Sequence, residues 1–316
     1  MEENKDPLIR INKIYIKNYK GIDELEIEFT KPLMKDDLDV FVLGSGNGVG
    51  KTSVLECCSL LLLSLTFVGE YINHLIVLYL NMMISAGKEE SFLRAQVETA
   101  RHELEIGFKL QKNRGIYDWY CDGDKTKMQD IRNNNLQKAM KLTTFDSFSS
   151  LFGINPNPLV IPFLQYFHSF RKIRQGNTKL SSITNKESDK EQENPPSTFK
   201  MEVMQLLMSK VGLFEGVNER EAEKSLETLN SLVRTYALGE IKKLKSLPNE
   251  SIDLLITQEN NETSYPFDSL SSGQKEIINT LFLIWKKTLQ APGVVLIDEP
   301  ELHLNSEWHR GFVTSL

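Results

Sequence analysis

Cysteine is scarce in this chain: three in 316 residues, at Cys57, Cys58 and Cys121. Two of them are adjacent in an apolar stretch, and no spacing matches a zinc site or a disulfide framework. Structural metal and disulfide scaffolds are therefore excluded, and a reducing, cytoplasmic compartment is expected. A strong charge excess is also missing. The formal net charge is −6, so nucleic-acid binding would need a local basic patch rather than the whole surface. The opening Met1-Glu2-Glu3-Asn4-Lys5-Asp6 is too polar and acidic for a signal peptide. No apolar run is long and clean enough to cross a membrane. Leu60 to Ile84 comes nearest, but Gly69, Glu70, Asn73, His74 and Asn81 interrupt it. A span wants roughly 20 apolar residues, so the stretch reads as two buried helices breaking near Gly69-Glu70. What remains, 40% hydrophobic and 25% charged residues, is the composition of an ordinary globular protein.

The most informative stretch is Gly44-Ser45-Gly46-Asn47-Gly48-Val49-Gly50-Lys51-Thr52. It follows Val40-Phe41-Val42-Leu43, which reads as a buried strand. It precedes Ser53-Val54-Leu55-Glu56-Cys57-Cys58, which reads as the first turns of a helix. Strand, glycine-rich loop, Lys-Thr and helix is the context of a phosphate-binding loop. Glycines let successive backbone N–H groups close on phosphate oxygens, and the helix N-terminus adds positive dipole there. Ser45, Gly46, Asn47, Gly48, Val49, Gly50, Lys51 and Thr52 are the candidate nucleotide contacts. Lys51 is expected to reach the β- and γ-phosphates, and Thr52 to hold Mg2+. The strict motif puts a glycine where Ser45 stands, with Gly44 and Gly46 on either side. The alternative, a glycine-rich loop that binds nothing, is disfavoured by the Lys-Thr pair.

Residues 8 to 29 alternate with period two about Tyr19-Lys20-Gly21, which predicts an antiparallel pair. Phe92 to Leu110 and Ile116 to Cys121 alternate again and predict a small antiparallel sheet laid onto the core. Residues 129 to 152 read as helix, and Leu159 to Phe170 as strand. Arg171-Lys172-Ile173-Arg174 is a cationic cluster, read as a solvated strand end in preference to a nucleic-acid contact. Residues 175 to 198 are polar and carry a Pro-Pro pair, the composition of a mobile linker. Two helical segments follow, Phe199 to Phe214 and Glu219 to Leu247, the second with Leu226, Leu229, Leu232, Val233 and Leu238 as a packing stripe. Ile252 to Ile256 returns to strand.

Two further stretches carry chemistry. Leu270-Ser271-Ser272-Gly273-Gln274-Lys275 precedes an apolar helix, and serves either as an anion site or as a plain serine cap. Val294-Val295-Leu296-Ile297-Asp298-Glu299 is an apolar strand ending in two acids. Asp298 is expected in the Mg2+ shell, and Glu299 as the residue that orients or deprotonates the attacking water. Lys51 and Glu299 are the candidate catalytic residues. Glu301 and His303 follow; His303 lacks partners at zinc-ligand spacing.

Taken together, the glycine loop with Lys51-Thr52, Leu270-Ser271-Ser272-Gly273-Gln274 and Leu296-Ile297-Asp298-Glu299-Pro300-Glu301-Leu302-His303-Leu304 resemble the ABC-type ATPases of the RecF, SMC and overcoming-lysogenization group. Asn18-Tyr19-Lys20-Gly21 matches that group too, and Leu159 to Arg171 resembles its strand, Tyr-Phe, then Arg segment. The likeness covers both ends of the chain well and the middle poorly. Within the group, the length, the lack of a coiled-coil arm and the stretch from Asp298 to Leu304 look most like the PtuA antiviral ATPases of Septu and retron systems. The resemblance implies an α/β P-loop NTPase of ABC/RecF type, with a mixed central sheet, an antiparallel β subdomain and a helical insertion. It implies ATP and Mg2+ as ligands. It also implies a head-to-head homodimer in which Ser271 and Gly273 of one subunit meet the nucleotide of the other, Ser271 at the γ-phosphate. The partners it implies are an HNH endonuclease and a retron reverse transcriptase with its DNA–RNA hybrid, with DNA contact open and no membrane. Gln165 is a candidate for the glutamine that lines such sites.

The expected organisation is an ATPase lobe over residues 1–174, a linker over 175–198, a helical insertion over 199–248 and a signature-and-acid lobe over 249–316. The family continues past this point with a further strand and a switch histidine, so a short or truncated form is expected. It would keep nucleotide binding through Lys51, Thr52 and Asp298, have less secure hydrolysis, and show an open sheet edge. Three functions compete: a defence ATPase that licenses a nuclease, a DNA-repair ATPase of RecF or SMC type, and a nucleotide-binding scaffold that does not hydrolyse. The repair reading needs a basic groove, for which the sequence offers only residues 171–174 and Lys242-Lys243-Leu244-Lys245.

Overall fold

The computed structural model describes residues 9–31, 39–44, 46, 48–64, 74–99, 103–121, 151–152, 159–161, 164–169, 178–179, 198–210, 219–246, 251–258, 263–290 and 293–300. The chain divides into two compact units, one of Met1–Arg171 with Thr288–Pro300, the other of Lys172–Lys287 with Glu301–Leu316.

The first unit opens with β1 (Ile9–Tyr19) and β2 (Ile22–Glu28), antiparallel as the alternation predicts. Helix α1 (Lys51–Ser64) and helix α2 (His74–Met83) come next. The two-helix reading of Leu60 to Ile84 is right, and its break lies outside the described residues. No helix among the described residues is long and apolar enough to cross a membrane. Then follow β3 (Glu90–Thr99), β4 (Glu103–Gln111) and β5 (Gly115–Cys121). These strands are not a separate layer. They join the opening pair in one antiparallel sheet of order β2-β1-β3-β4-β5, because β1 uses its second edge to pair with β3.

A second, mixed sheet holds β6 (Leu159–Ile161), β7 (Leu164–Phe167) and β12 (Val294–Ile297), in the order β12-β7-β6. The single strand expected from Leu159 to Phe170 is two, folded back on each other antiparallel. Pro162 falls between them, and proline has no N–H to give to a ladder. Strands β7 and β12 run parallel. Helix α1 packs on β1, β3 and β4 and also on β7 and β12. Lying between sheets, it is buried almost all round, from Ser53 and Val54 to Ser64. Its run Leu60-Leu61-Leu62-Leu63 belongs to the same core as Ile14, Ile16, Phe108 and Tyr166.

One expectation fails here. Val40-Phe41-Val42-Leu43 is neither strand nor buried. Val40 is 47% exposed, Phe41 42% and Val42 82%, and only Leu43 packs partly on the core. A strand exists only where another chain segment accepts its hydrogen bonds, and no described strand pairs with this one.

The second unit contains β8 (Thr178–Lys179), α3 (Thr198–Lys210), α4 (Glu219–Ala237), β9 (Gly239–Ser246), β10 (Ser251–Gln258), β11 (Ser264–Pro266), a 3-10 turn (Phe267–Ser269) and most of α5 (Ser272–Gln290). Strand β10 is central: β9 pairs along one edge, β8 and β11 along the other. Within 175–198, Thr178–Lys179 thus pairs with β10 as a strand. Helix α4 is shorter than predicted. It stops at Ala237, and residues 239–246 become β9 because β10 offers them a partner. The insertion is therefore not wholly helical. Of the predicted stripe, Leu226, Leu229 and Val233 are buried, whereas Leu238 is 76% exposed. Phe199 of α3 anchors the core of this unit, its ring 5.1 Å from Phe267 and 5.8 Å, edge-on, from Phe282 of α5.

The helix expected over 129–152 falls outside the described residues apart from Leu151 and Phe152. The cationic cluster 171–174, Glu301 and His303 fall outside them entirely.

Candidate nucleotide-binding site

Helix α1 begins at the loop itself: the N–H of Val54 donates to the carbonyl of Gly50 at 3.0 Å. The backbone before it takes a form that side chains resist, with φ of +81° at Gly48 and +100° at Gly50. Gly50 has a second reason to be glycine, because a Cβ there would stand 3.0 Å from Cγ1 of Ile22. The loop is thus seated against the start of β2. The ammonium of Lys51 reaches back along the loop and donates to the Gly46 carbonyl at 3.4 Å. Val49 is 65% exposed at the loop surface. Ser45 and Asn47 lie outside the described residues.

The acid strand arrives from the other end of the chain. The β7–β12 ladder continues one step past the strand, the N–H of Asp298 donating to the Phe167 carbonyl at 2.8 Å. That bond fixes Asp298, which is 2% exposed, beside the first turn of α1. The Thr52 hydroxyl donates to its carboxylate, at 3.0 and 3.1 Å to the two oxygens. The structure therefore brings together the two residues predicted to share a metal ion. A hydroxyl and a carboxylate fit Mg2+, a hard cation that takes few protein oxygens and completes its shell with phosphate and water. Glu299 follows, exposed and held at φ +46°. A non-glycine residue in left-handed backbone costs energy, and such residues cluster at functional sites. Gln165 sits in β7, 4% exposed, and its side-chain oxygen has no hydrogen-bond partner among the described residues.

Behind the loop lie Glu56, to which sequence assigned no role, and Lys20, which it placed only in the turn after β1. Glu56 lies one turn after Thr52 on the same side of α1 and is 6% exposed. Lys20 pairs with it through both oxygens, at 2.7 and 2.6 Å, and the Tyr19 hydroxyl donates to it at 3.3 Å. Burial pushes the Glu56 carboxyl above the usual carboxylate range; Lys20 pulls against that rise, and the charge of Asp298 adds to it. The i, i+4 spacing from Thr52 was the available signal.

In the second unit, Ser271 and Gln274 form a reciprocal cap on α5. The Gln274 N–H donates to Ser271 Oγ at 3.3 Å, and the Ser271 N–H to Gln274 Oε1 at 3.0 Å. This is the S-x-x-Q capping box. Gln274 also donates to the Tyr236 carbonyl at 2.9 Å. Ser271 and Ser272 are exposed and Gly273 is buried. Below the cap, Lys200 is 1% exposed and bonds Asp253 at 3.0 Å and Asp268 at 2.6 Å. Lys275 donates to the Asp268 carbonyl at 3.1 Å.

With this geometry in place the sequence can be set beside known families. A family model described as AAA domain matches residues 13–281. The chain belongs to the AAA domain family. The matched span holds both the glycine loop and Leu270–Lys275. No curated protein matches the sequence. Among solved structures, the chain is similar to the recombination mediator protein RecF with ATP, of the RecFOR pathway, at 13% identity over 98% of this chain and 92% of that one, TM-score 0.46. It is similar also to the SMC head domain from Thermotoga maritima, at 14% identity over 97% and 83%, TM-score 0.44. Membership in the AAA domain family rests on the family match. The mixed α/β architecture, with its antiparallel sheet and a glycine loop opening α1, is that of a P-loop NTPase.

Proposed function

We propose that this chain is an ATPase. The glycine loop and Lys51 hold the phosphates, Thr52 and Asp298 hold Mg2+, and Glu299 orients the attacking water. The observation that carries the reading is the bond between Thr52 and Asp298, which joins the phosphate loop to the acid strand within one compact unit. Bound Mg2+ would neutralise charge on the β- and γ-phosphates. Lys51 supplies a fixed positive charge at the same place. Glu299, next to the metal-holding Asp298, is the nearest following carboxylate able to take a proton from water.

The signature supports a site completed by a second copy. Ser271 Oγ accepts from the Gln274 N–H, which leaves its own hydroxyl hydrogen to donate to a phosphate oxygen at the positive end of α5. ATP held between two subunits is thus part of the proposal.

For the cellular role we favour an antiviral system in which ATP turnover controls an HNH endonuclease, beside a retron reverse transcriptase with its DNA–RNA hybrid. The support is the length, the lack of a coiled-coil arm and the stretch from Asp298 to Leu304, which together look most like the PtuA ATPases. A repair role of RecF or SMC type is compatible with the same site but needs a basic face. On β9, Lys243 and Lys245 are exposed, while Lys242 is paired with Glu240.

The test is ATP turnover by the purified chain, alone and with any HNH nuclease encoded beside it. Turnover is expected in the wild type and absent in Lys51→Ala and Glu299→Gln. Glu299→Gln should still bind ATP and accumulate as a dimer. ATP binding without turnover in either setting would overturn the enzyme and leave a nucleotide-gated scaffold. Specific retention of DNA ends by the chain alone would favour repair.

A further inference from the structure

The turn between β1 and β2 is held more firmly than a hairpin requires. Asn18 and Lys20 both sit in left-handed backbone, at φ +55° and +48°. The Lys20 N–H donates to the Met83 carbonyl at 2.7 Å, and the Ser85 hydroxyl donates to the Lys20 carbonyl at 2.8 Å. The Ser85 N–H donates to the Asn18 carbonyl at 3.0 Å. The main chain on both sides of Tyr19 is thereby clamped to the end of α2. Clamping fixes where the Lys20 ammonium stands, and it stands on Glu56 with both oxygens engaged. Tyr19, fully buried, adds its hydroxyl to the same carboxylate.

Glu56 is the continuation of the metal-holding face of α1. It follows Thr52 by four residues, so the two side chains rise from one side of the helix. Asp298 meets Thr52 from the opposite strand. Two buried carboxylates, Glu56 and Asp298, therefore lie near one another, and the neutralising cation between the turn and the helix is Lys20. Gly50 closes the arrangement, since its open side rests on Ile22, immediately after the turn.

We propose that Lys20 and Glu56 are a positioning pair for Mg2+. The clamped turn holds Glu56, Glu56 holds the first two turns of α1, and Thr52 is thereby presented to Asp298 at the spacing a shared metal ion needs. Lys20 also keeps the charge of Glu56 from competing with Asp298 for the cation. The inference rests on the nucleotide-binding reading above. Both act through Thr52 and Asp298.

The test is the Mg2+ dependence of binding of a fluorescent ATP analogue to the full chain. Melting curves confirm that each variant is folded. Metal-free affinity should change little in Lys20→Met and Glu56→Gln, because the loop amides and Lys51 hold the phosphates. The Mg2+ concentration at half-effect should rise about 10- to 100-fold, the range for residues that orient metal ligands. Lys20→Arg keeps the charge and the turn and should restore most of it. Glu56→Gln keeps the shape and an acceptor for Lys20 and Tyr19, so a fold is retained even if Lys20→Met is lost. A Mg2+ half-point unchanged in folded Glu56→Gln, with nucleotide still bound, would overturn the pair and leave the site intact. A wild-type chain that binds no analogue at any Mg2+ concentration would overturn the site itself, and the pair with it.

Discussion

The Thr52 hydroxyl and the Asp298 carboxylate stand 246 positions apart in the chain and share a hydrogen bond of 3.0 Å. Neither residue has chemistry of its own that is unusual. Their meeting is what turns a glycine loop and an apolar strand into a candidate metal site. It depends on β12 lying parallel to β7 with α1 packed across both.

This relationship predicts a metal effect. In the wild type, Mg2+ added with ATP should raise the melting temperature beyond ATP alone. A ligand at about 100 times its Kd adds about 2.7 kcal/mol of stability. Thr52→Val, which removes the hydroxyl at nearly constant shape, should lose the Mg2+ increment and keep the ATP increment. Thr52→Ser should retain both. Thermal melts of the three proteins without ligand, with ATP, and with ATP and Mg2+ decide it; an undiminished Mg2+ increment in Thr52→Val would show that the threonine does not hold the ion.

A second prediction concerns the root of the signature. Lys200 bridges α3, β10 and the 3-10 turn while 1% exposed. Lys200→Met removes the cation and leaves Asp253, itself 6% exposed, with the Leu254 N–H as its one remaining bond among the described residues. Breaking one side of a buried pair costs about 3–5 kcal/mol, and urea unfolding should read a loss of that size. Asp268→Asn should cost clearly less, because its side chain is 29% exposed.

What the sequence made legible follows from range. The glycine loop, the two acids after β12 and the alternation of β1 and β2 are local patterns, and each is where the residues placed it. The strand expected at Val40 to Leu43 failed because a strand is defined by a distant partner. Residues 239–246 were read as helix because the stripe of Leu226, Leu229, Leu232, Val233 and Leu238 runs up to them with no break that ends α4. Pairing with β10 decided otherwise. The buried ion pairs were invisible for the same reason: Lys20 and Glu56 are 36 positions apart, Lys200 and Asp253 are 53 apart. Charge pairing over such separations leaves no periodic trace.

A third prediction concerns pH. Hydrogen bonds from Lys242 and then Arg234 hold the Glu240 carboxyl below its ordinary value of 4.5. Its pKa is lower folded than unfolded, so the contribution is present at neutral pH. It is lost as pH falls through the ordinary carboxylate value and then the folded one. The melting-temperature gap between wild type and Glu240→Gln should therefore be widest near neutrality and shrink as pH falls below the ordinary carboxylate value and on through the folded one. A gap that stays constant would mean that Gln is penalised for shape and not for charge.

The last prediction is a pair of opposite signs at adjacent residues. Leu238 ends α4 in left-handed backbone, φ +55°, with its N–H on the Arg234 carbonyl at 3.2 Å and its side chain 76% exposed. That is the position where helices prefer glycine. Left-handed backbone costs a residue with a Cβ about 1–2 kcal/mol. Leu238→Gly should recover part of this and stabilise by up to about 1 kcal/mol, net of the flexibility glycine adds to the unfolded chain. Gly239, one residue on, has no such freedom. A Cβ there would stand 2.7 Å from Cγ2 of Ile256 and 2.8 Å from the Thr257 carbonyl oxygen. The backbone oxygen belongs to the β9–β10 ladder and cannot step aside, so Gly239→Ala should destabilise by about 1–3 kcal/mol. Chemical denaturation of the two variants tests the turn from both sides. Destabilisation by Leu238→Gly would mean that the exposed leucine makes a contact that only an assembled form of the protein provides, and analytical ultracentrifugation of that variant would then show a weakened association.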